Sequence, residues 1–199
     1  MMKPLTTSVY TFSKLINGGL LYVDKTADIR PLLGTTSAQY FISRPRRFGK
    51  SLLVSTLKSI FRGERELFDG LAIAPTDDDW QRYPVIYLDL GSVQADSAGD
   101  LKTKLQRSVG RSAEDNDCVV TAGDAASAFQ DLIRTLHKKH GPVVILVDEY
   151  DKPLLGHLGQ KSVEEIQRVL KGYYSVIKTT EASQRFALLT GVSKFATVS

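Results

Sequence analysis

Segment 41–52 constrains the fold most strongly, because an apolar strand pattern runs through a basic loop into the start of a helical pattern. The loop ends in Gly49, Lys50 and Ser51, which match the last three positions of the phosphate-binding pattern G-x-x-x-x-G-K-[ST]. Arg44 stands where that pattern has its first glycine. A strand, a loop and a helix in this order predict a site where backbone N–H groups and a helix N-terminus hold an anion.

Strands alternate with helices along the chain. Apolar runs predict strands at 39–43, 85–90, 143–149 and 186–191, and helical spacing predicts helices at 51–61, 124–140 and 163–180. A helical pattern also surrounds Leu101 and Leu105, whereas the polar residues 107–121 predict a solvent-exposed connection. This alternation is typical of a parallel α/β sheet, in which ligands bind beyond the carboxyl ends of the strands.

A second strand ends in carboxylates. The run 143–147 is wholly apolar and leads into Asp148 and Glu149, as expected for a buried parallel strand with acids at its tip. In a phosphoryl-transfer site Asp148 would hold Mg²⁺ through water and Glu149 would polarise an attacking water, while Lys50 would bridge the phosphates and Ser51 would ligate the metal. The alternative interpretation is an acidic turn after a core strand.

Other polar residues at strand ends carry weaker predictions. Thr190 is placed like a sensor beside the γ-phosphate, with Ser193 as the neighbouring candidate, although strand-end hydroxyls also serve in turns and caps. Asp89 ends its strand at the same edge and fits either a turn or a role near water and metal.

The loop arginines Arg44, Arg46 and Arg47 form a concentrated positive cluster. Three interpretations stay open: neutralisation of a triphosphate, contact with a nucleic-acid backbone, and solvation or pairing with acids such as Asp148 and Asp151. At the N-terminus, residues 9–33 predict a cap on the core, or a wall of Tyr22 and Val23 beside an adenine ring.

Composition sets the remaining limits. The 199 residues with 42% hydrophobic content allow one substantial core, and the net charge of +4 permits an anionic partner without requiring one. Cys118 is the single cysteine, and the three histidines are too scattered for a metal site. Residues 1–8 lack the apolar region of a signal peptide, and no apolar run approaches the ~20 residues of a membrane helix. We therefore expect a cytoplasmic protein with no membrane segment.

Six segments resemble the prokaryotic AAA-ATPase-like family, whose P-loop domain is often fused to a C-terminal nuclease-like domain of the PD-(D/E)xK type. The segments are 12–16 (FSKLI), 22–26 (YVDKT), 44–51 (RPRRFGKS), 83–89 (YPVIYLD), 147–151 (VDEYD) and 189–195 (LTGVSKF). The loop with Arg44 is the usual form in this family, so Arg44 departs from the general phosphate-loop pattern but not from the family's own.

The resemblance implies a three-layer α/β P-loop NTPase fold of the additional-strand, RecA/AAA-like kind, with a mostly parallel sheet. Residues 1–38 would form an N-terminal cap segment and 39–199 the nucleotide-binding core. ATP and Mg²⁺ are the implied ligands. The implied site residues are Arg46, Arg47, Phe48, Gly49, Lys50, Ser51 and Leu52 on the nucleotide, Ser51 and Asp148 on the metal, and Glu149, Lys50 and Thr190 in catalysis.

The chain stops at Ser199, just past the predicted sensor strand. We therefore expect the C-terminal lid and the nuclease-like domain of longer family members to be missing. The predicted function is ATP binding with Mg²⁺-dependent hydrolysis. The alternative is a non-catalytic, nucleotide-gated or nucleic-acid-binding regulatory module, and phosphoryl transfer to a small molecule ranks third. A homo-oligomer, and DNA or RNA acting through a nuclease-like domain, stay open as partners.

Overall fold

One parallel sheet organises the chain. A computed structural model describes residues 3–6, 8–34, 38–74, 80–121 and 123–193. The strands in this part of the chain are β1 (Ala38–Ser43), β2 (Val85–Asp89), β3 (Val143–Asp148) and β4 (Gln184–Gly191). They lie in the order β1-β4-β3-β2, and every pair is parallel. The prediction of an α/β protein with a mostly parallel sheet is confirmed.

Helices connect and cover these strands. They are α1 (Phe12–Asn17), α2 (Thr26–Leu33), α3 (Lys50–Phe61), α4 (Ala98–Glu114), α5 (Ala125–His140), α6 (Lys152–Leu155) and α7 (Val163–Thr179), with short 3₁₀ helices at Arg65–Phe68 and Glu181–Ser183. None of the helices in the described part of the chain is both long and apolar enough to cross a membrane. The prediction about residues 1–8 falls partly on Met1, Met2 and Thr7, which lie outside the described residues.

The sheet separates two apolar cores. In β3, Val144 and Leu146 face the core shared with α1, α2 and α3, whereas the alternate residues of β3 face the core shared with α4, α5 and α7. All six β3 residues are buried, as expected for a central parallel strand covered on both faces. The result is a three-layer arrangement with α3 on one side of the sheet.

The prediction of an exposed connection over 107–121 was wrong for its first half, because α4 continues to Glu114. Leu101, Leu105, Val109 and Ala113 are all buried and recur every four residues, so one narrow stripe anchors the helix against the core. The polar residues between them cover the other faces of α4. The predicted loop after β3 likewise contains α6.

The N-terminal segment packs on the α3 side of the sheet. Ser55 Oγ accepts a hydrogen bond from Phe12 N at 2.8 Å, and the Phe12 ring stacks on Phe68 with 4.7 Å between ring centroids. Tyr22 meets Phe12 edge-on, whereas the Val23 side chain is 69% exposed. These contacts are those of a segment that covers the core.

Gly191, at the end of β4, lies close to residues 148–151, which we name the acidic turn. A Cβ added at Gly191 would lie 2.6 Å from Tyr150 Cδ1 and 2.8 Å from Asp151 Oδ1, which is too close for any side chain. The Tyr150 and Asp151 side chains are almost fully buried, so neither can move aside easily.

We therefore expect Gly191→Ala to lower the free energy of unfolding by about 1–3 kcal/mol, the usual cost of overpacking a core. Urea denaturation measures this change. Gly172→Ala in α7 is the matched control, because nothing lies within 4 Å of an added Cβ there. Removing a glycine from a helix interior should stabilise the protein by about 0.5–1 kcal/mol. Equal unfolding midpoints for the two variants would contradict the crowding argument.

Candidate functional site

Three polar side chains end neighbouring strands on the α3 side of the sheet. Asp89 pairs in register with Asp148, and Thr190 Oγ1 donates a hydrogen bond to Asp148 Oδ1 at 2.5 Å. Tyr87, Leu146 and Leu188, each two positions earlier in its strand, pack into the core beside α3. Because side chains alternate between the two faces of a strand, the three polar side chains lie on that same face. The three strand ends predicted to carry chemistry are thus brought together.

Asp148 is buried and held from two directions. Its side chain is 3% exposed, and Oδ1 also accepts a hydrogen bond from Glu149 N at 3.1 Å. Thr190 is fully buried and donates its hydroxyl proton to Asp148. Thr190 therefore fixes the orientation of the carboxylate, a contact that its predicted sensor role did not include.

Glu149 has a left-handed backbone with φ of 52°, which is uncommon outside glycine. Its carboxylate lies beside that of Asp89: a Cβ added at Gly91 would be 3.1 Å from both Glu149 Oε2 and Asp89 Oδ1. Gly91 N donates to Asp89 Oδ1 at 2.9 Å. Because Gly91 has no side chain, there is room for the two carboxylates above it. The Glu149 side chain is half-buried just after β3.

Tyr87 lies two residues before Asp89 in β2, close to these acids. Burial, followed by the charges of Asp89 and Asp148, raises the pKa of the Tyr87 hydroxyl above its usual value. The Tyr87 ring lies 4.7 Å from Lys58 Nζ of α3. Tyr87 therefore stays neutral at physiological pH and adds no negative charge to this edge.

The basic loop joins β1 to α3 at the same edge. Arg47 and Gly49 have left-handed backbones with φ of 66° and 74°, which turn the chain into the helix. Lys50, the first residue of α3, is 6% exposed, and its Nζ donates to Arg44 O and Pro45 O, each at 3.0 Å. The lysine ammonium thus lies inside the loop, bound to its backbone.

The other loop side chains point outward. Arg44, Arg46 and Arg47 are exposed, and Phe48 is 61% exposed. Neither of the two ion pairs found among the described residues involves these arginines. The interpretation that they pair with Asp148 or Asp151 therefore has no support here.

Ser51 and Leu52 are half-buried in the first turn of α3, which packs against β3 and β4. Among the described residues no hydrogen bond joins Ser51 to Asp148, although α3 begins at the edge where Asp148 lies. Lys194 and Phe195, which end the last family-like segment, lie outside the described residues.

Asp151 is a buried residue whose role the sequence pattern did not predict. It is 1% exposed, and its Oδ2 accepts three hydrogen bonds from the chain just after β4, at 2.9 Å from Val192 N and 2.7 Å from both Ser193 N and Ser193 Oγ. The partners are more than 40 residues further along the chain, so local spacing carries no sign of the contact. The only available signal was its place in the segment VDEYD.

Comparison with known proteins identifies a family. The family described as predicted AAA-ATPase matches residues 6–199. A protein of Azotobacter chroococcum mcd 1, described as an uncharacterized protein in the vnfD 5' region, is 40% identical over 200 residues, which cover 99% of this chain and 39% of that protein. The chain thus spans well under half the length of this relative. No solved structure matches the chain with significance.

The family description indicates ATP binding and a nucleotide substrate. The resemblance seen in the six sequence segments is thereby confirmed at the level of the family. The chain belongs to the predicted AAA-ATPase family.

Proposed function

We propose that this chain binds ATP with Mg²⁺ at the carboxyl edge of the sheet and hydrolyses its γ-phosphate bond. The observation that carries the proposal is the shared edge: Lys50 begins α3 after the left-handed Gly49, while Asp148 and Glu149 end a strand packed against the same helix. The position of β4 between β1 and β3 supports an additional-strand P-loop fold. Residues 39–199 would form its core and 1–38 its cap.

Phosphate binding falls to the loop and the first turn of α3. The first N–H groups of a helix have no acceptor within the helix, so those of Lys50, Ser51 and Leu52 suit phosphate oxygens. The Lys50 ammonium would exchange its two carbonyl partners for oxygens of the β- and γ-phosphates. The nucleotide would lie beside Arg46, Arg47 and Phe48. Because the two arginines are exposed, they could neutralise negative charge on its phosphates.

The residues at this edge suit Mg²⁺. The Ser51 hydroxyl and the Asp148 carboxylate are hard oxygen donors, and Mg²⁺ usually keeps several waters and phosphate oxygens beside one or two protein ligands. Among the described residues there is no group of three or more His, Cys, Asp or Glu that could hold a metal ion. When bound, Mg²⁺ would neutralise charge on the phosphates.

Glu149 is the proposed general base. Its half-buried carboxylate would take a proton from a water as the water oxygen bonds to the γ-phosphorus and the bond to the ADP oxygen breaks. Thr190 keeps Asp148 oriented beside it. The Asp89 carboxylate lies on the other side of the space over Gly91, where it could contact the attacking water.

Lys50→Ala should abolish detectable ATP binding, because it removes the cation that contacts two phosphates. Isothermal titration calorimetry with Mg²⁺ and ATP measures the affinity. Lys171→Ala, an exposed lysine on α7, is the control and should bind as the unaltered protein does. Equal affinities for Lys50→Ala and its control would overturn the phosphate-binding role.

Glu149→Gln should keep ATP binding and lower kcat by at least about 10²-fold, because the amide cannot accept the water proton. Phosphate release under saturating ATP measures kcat, and calorimetry measures binding. Glu164→Gln on the exposed face of α7 is the control. Turnover that continues unchanged in Glu149→Gln would remove this residue from the base role.

A second candidate function follows from the exposed Arg44, Arg46, Arg47 and Phe48. These side chains suit a regulatory module in which the loop contacts a nucleic-acid backbone. DNA binding that weakens steeply with salt, in a protein without ATP turnover, would favour this function over hydrolysis. Assembly into a homo-oligomer and the presence of a nuclease-like domain in the whole protein are further proposals based on family resemblance.

A further inference from the structure

We propose that Asp151 is a positioning residue that fixes the backbone around Glu149. Through residues 191–193 it also ties the acidic turn to the basic loop 44–49, which we call the phosphate loop after its proposed function. We name residues 191–193 the strap. The role in turnover rests on the proposed ATP hydrolysis, whereas the tie itself can be measured without it.

The first end of the tie is the carboxylate of Asp151. One oxygen, Oδ2, accepts two backbone N–H groups and one hydroxyl from the strap, at Val192 and Ser193. The other oxygen, Oδ1, is buried and makes no hydrogen bond within the described chain. Because all the hydrogen bonds that this buried carboxylate accepts come from the strap, the carboxylate holds the strap in place.

Tyr150 strengthens the same attachment. Its hydroxyl donates to Ser193 O at 2.7 Å and its backbone N–H to Thr190 O at 2.9 Å. Tyr174 of α7 donates in turn to Tyr150 O at 2.7 Å. Burial raises the pKa of the Tyr174 hydroxyl well above its usual value, so it keeps the proton that it donates. The acidic turn is thus fixed to both β4 and α7.

The second end of the tie lies at the entry to the phosphate loop. Ser43 Oγ donates to Val192 O at 3.0 Å, and Arg44 N donates to Gly191 O at 3.1 Å. Arg44 O is also one of the two carbonyls that bind Lys50 Nζ. A continuous chain of hydrogen bonds therefore runs from Asp151 through the strap to the phosphate loop.

Glu149 lies between the held residues on either side. Asp148 is bonded to Thr190 and Tyr150 is bonded to the strap, so the left-handed backbone at Glu149 is enforced from both directions. Such a conformation persists only where its surroundings determine it. Loss of the Asp151 bonds should let this backbone relax and move the Glu149 carboxylate away from its place over Gly91.

The test compares Asp151→Ala with the control Asp124→Ala, which removes hydrogen bonds from the same kinds of donor at another place in the fold. Asp124 caps α5 by accepting hydrogen bonds from Ala126 N, Ser127 N and Ser127 Oγ, which is the same donor set far along the chain from the strap. Asp151→Asn keeps an oxygen able to accept all three bonds but removes the charge. Ser193→Ala removes one bond only and serves if Asp151→Ala fails to fold.

Steady-state ATP turnover should show kcat lowered by about 10²-fold in Asp151→Ala with KM for ATP unchanged, because a small misplacement of a catalytic group has that effect. Asp151→Asn should restore kcat to within about tenfold of the unaltered protein, since neutral hydrogen bonds are weaker but similar in geometry. The pH profile of kcat should keep its shape, because Asp151 moves no proton. Asp124→Ala should leave kcat unchanged.

Amide hydrogen exchange tests the tie without turnover. Asp151→Ala should speed exchange at Val192 and Ser193 and also at Arg44, whereas Asp124→Ala should speed it only around Ala126. A kcat in Asp151→Ala no lower than in Asp124→Ala would overturn the positioning role, and unchanged exchange at Arg44 would overturn the tie. If the unaltered protein binds ATP without turning it over, the hydrolysis proposal fails, and exchange at Arg44 alone then decides the tie.

Discussion

The pairing of β4 with both β1 and β3 is the interaction on which the rest of the site depends. The register joins Ala38 to Phe186 and Val144 to Phe186, so a strand late in the chain brings together two segments that are about half the chain apart. Without β4, the strands that precede the basic loop and the acidic turn, β1 and β3, would have no strand between them to join them into one sheet. Closure of such long loops is entropically costly, and the apolar faces of β4 in both cores repay that cost.

The buried lysine and the buried carboxylates of the described chain lie where the strands end. Lys50, Asp148, Asp151 and Thr190 are all buried at or beside the carboxyl edge, whereas β3 is wholly apolar before Asp148. A buried polar group is costly unless it is hydrogen-bonded. Here Lys50 is bonded to loop carbonyls, Thr190 to Asp148, and Asp151 to the strap. The carboxyl edge is therefore held by hydrogen bonds. A ligand can replace hydrogen bonds more readily than it can rearrange closely packed apolar side chains.

The sequence allowed prediction of the parallel sheet and its strands, because runs such as 143–147 can be buried only in a covered sheet and the Gly-Lys-Ser of segment 41–52 marks a helix start. It did not reveal that α4 runs to Glu114, since a single buried stripe in a polar helix resembles an exposed connection. Nor did it predict the contacts of Asp151, because a carboxylate bound to distant backbone has no periodic pattern. Nor did spacing predict the left-handed backbone at Arg47, because a positive φ in a residue other than glycine leaves no mark in the sequence pattern.

Two of the residues in the proposed site have a left-handed backbone. Of the three non-glycine residues with positive φ in the described chain, Arg47 lies in the phosphate loop and Glu149 in the acidic turn. A fold selected for stability alone would place glycine at such positions, since glycine adopts this backbone freely. A guanidinium and a carboxylate stand at these two positions instead, as the roles proposed for Arg47 and Glu149 would require. The strap is bonded both to the acidic turn that holds Glu149 and to Ser43 and Arg44, where the loop that holds Arg47 begins. If the proposed site is correct, residues outside the two motifs would therefore bear on its chemistry.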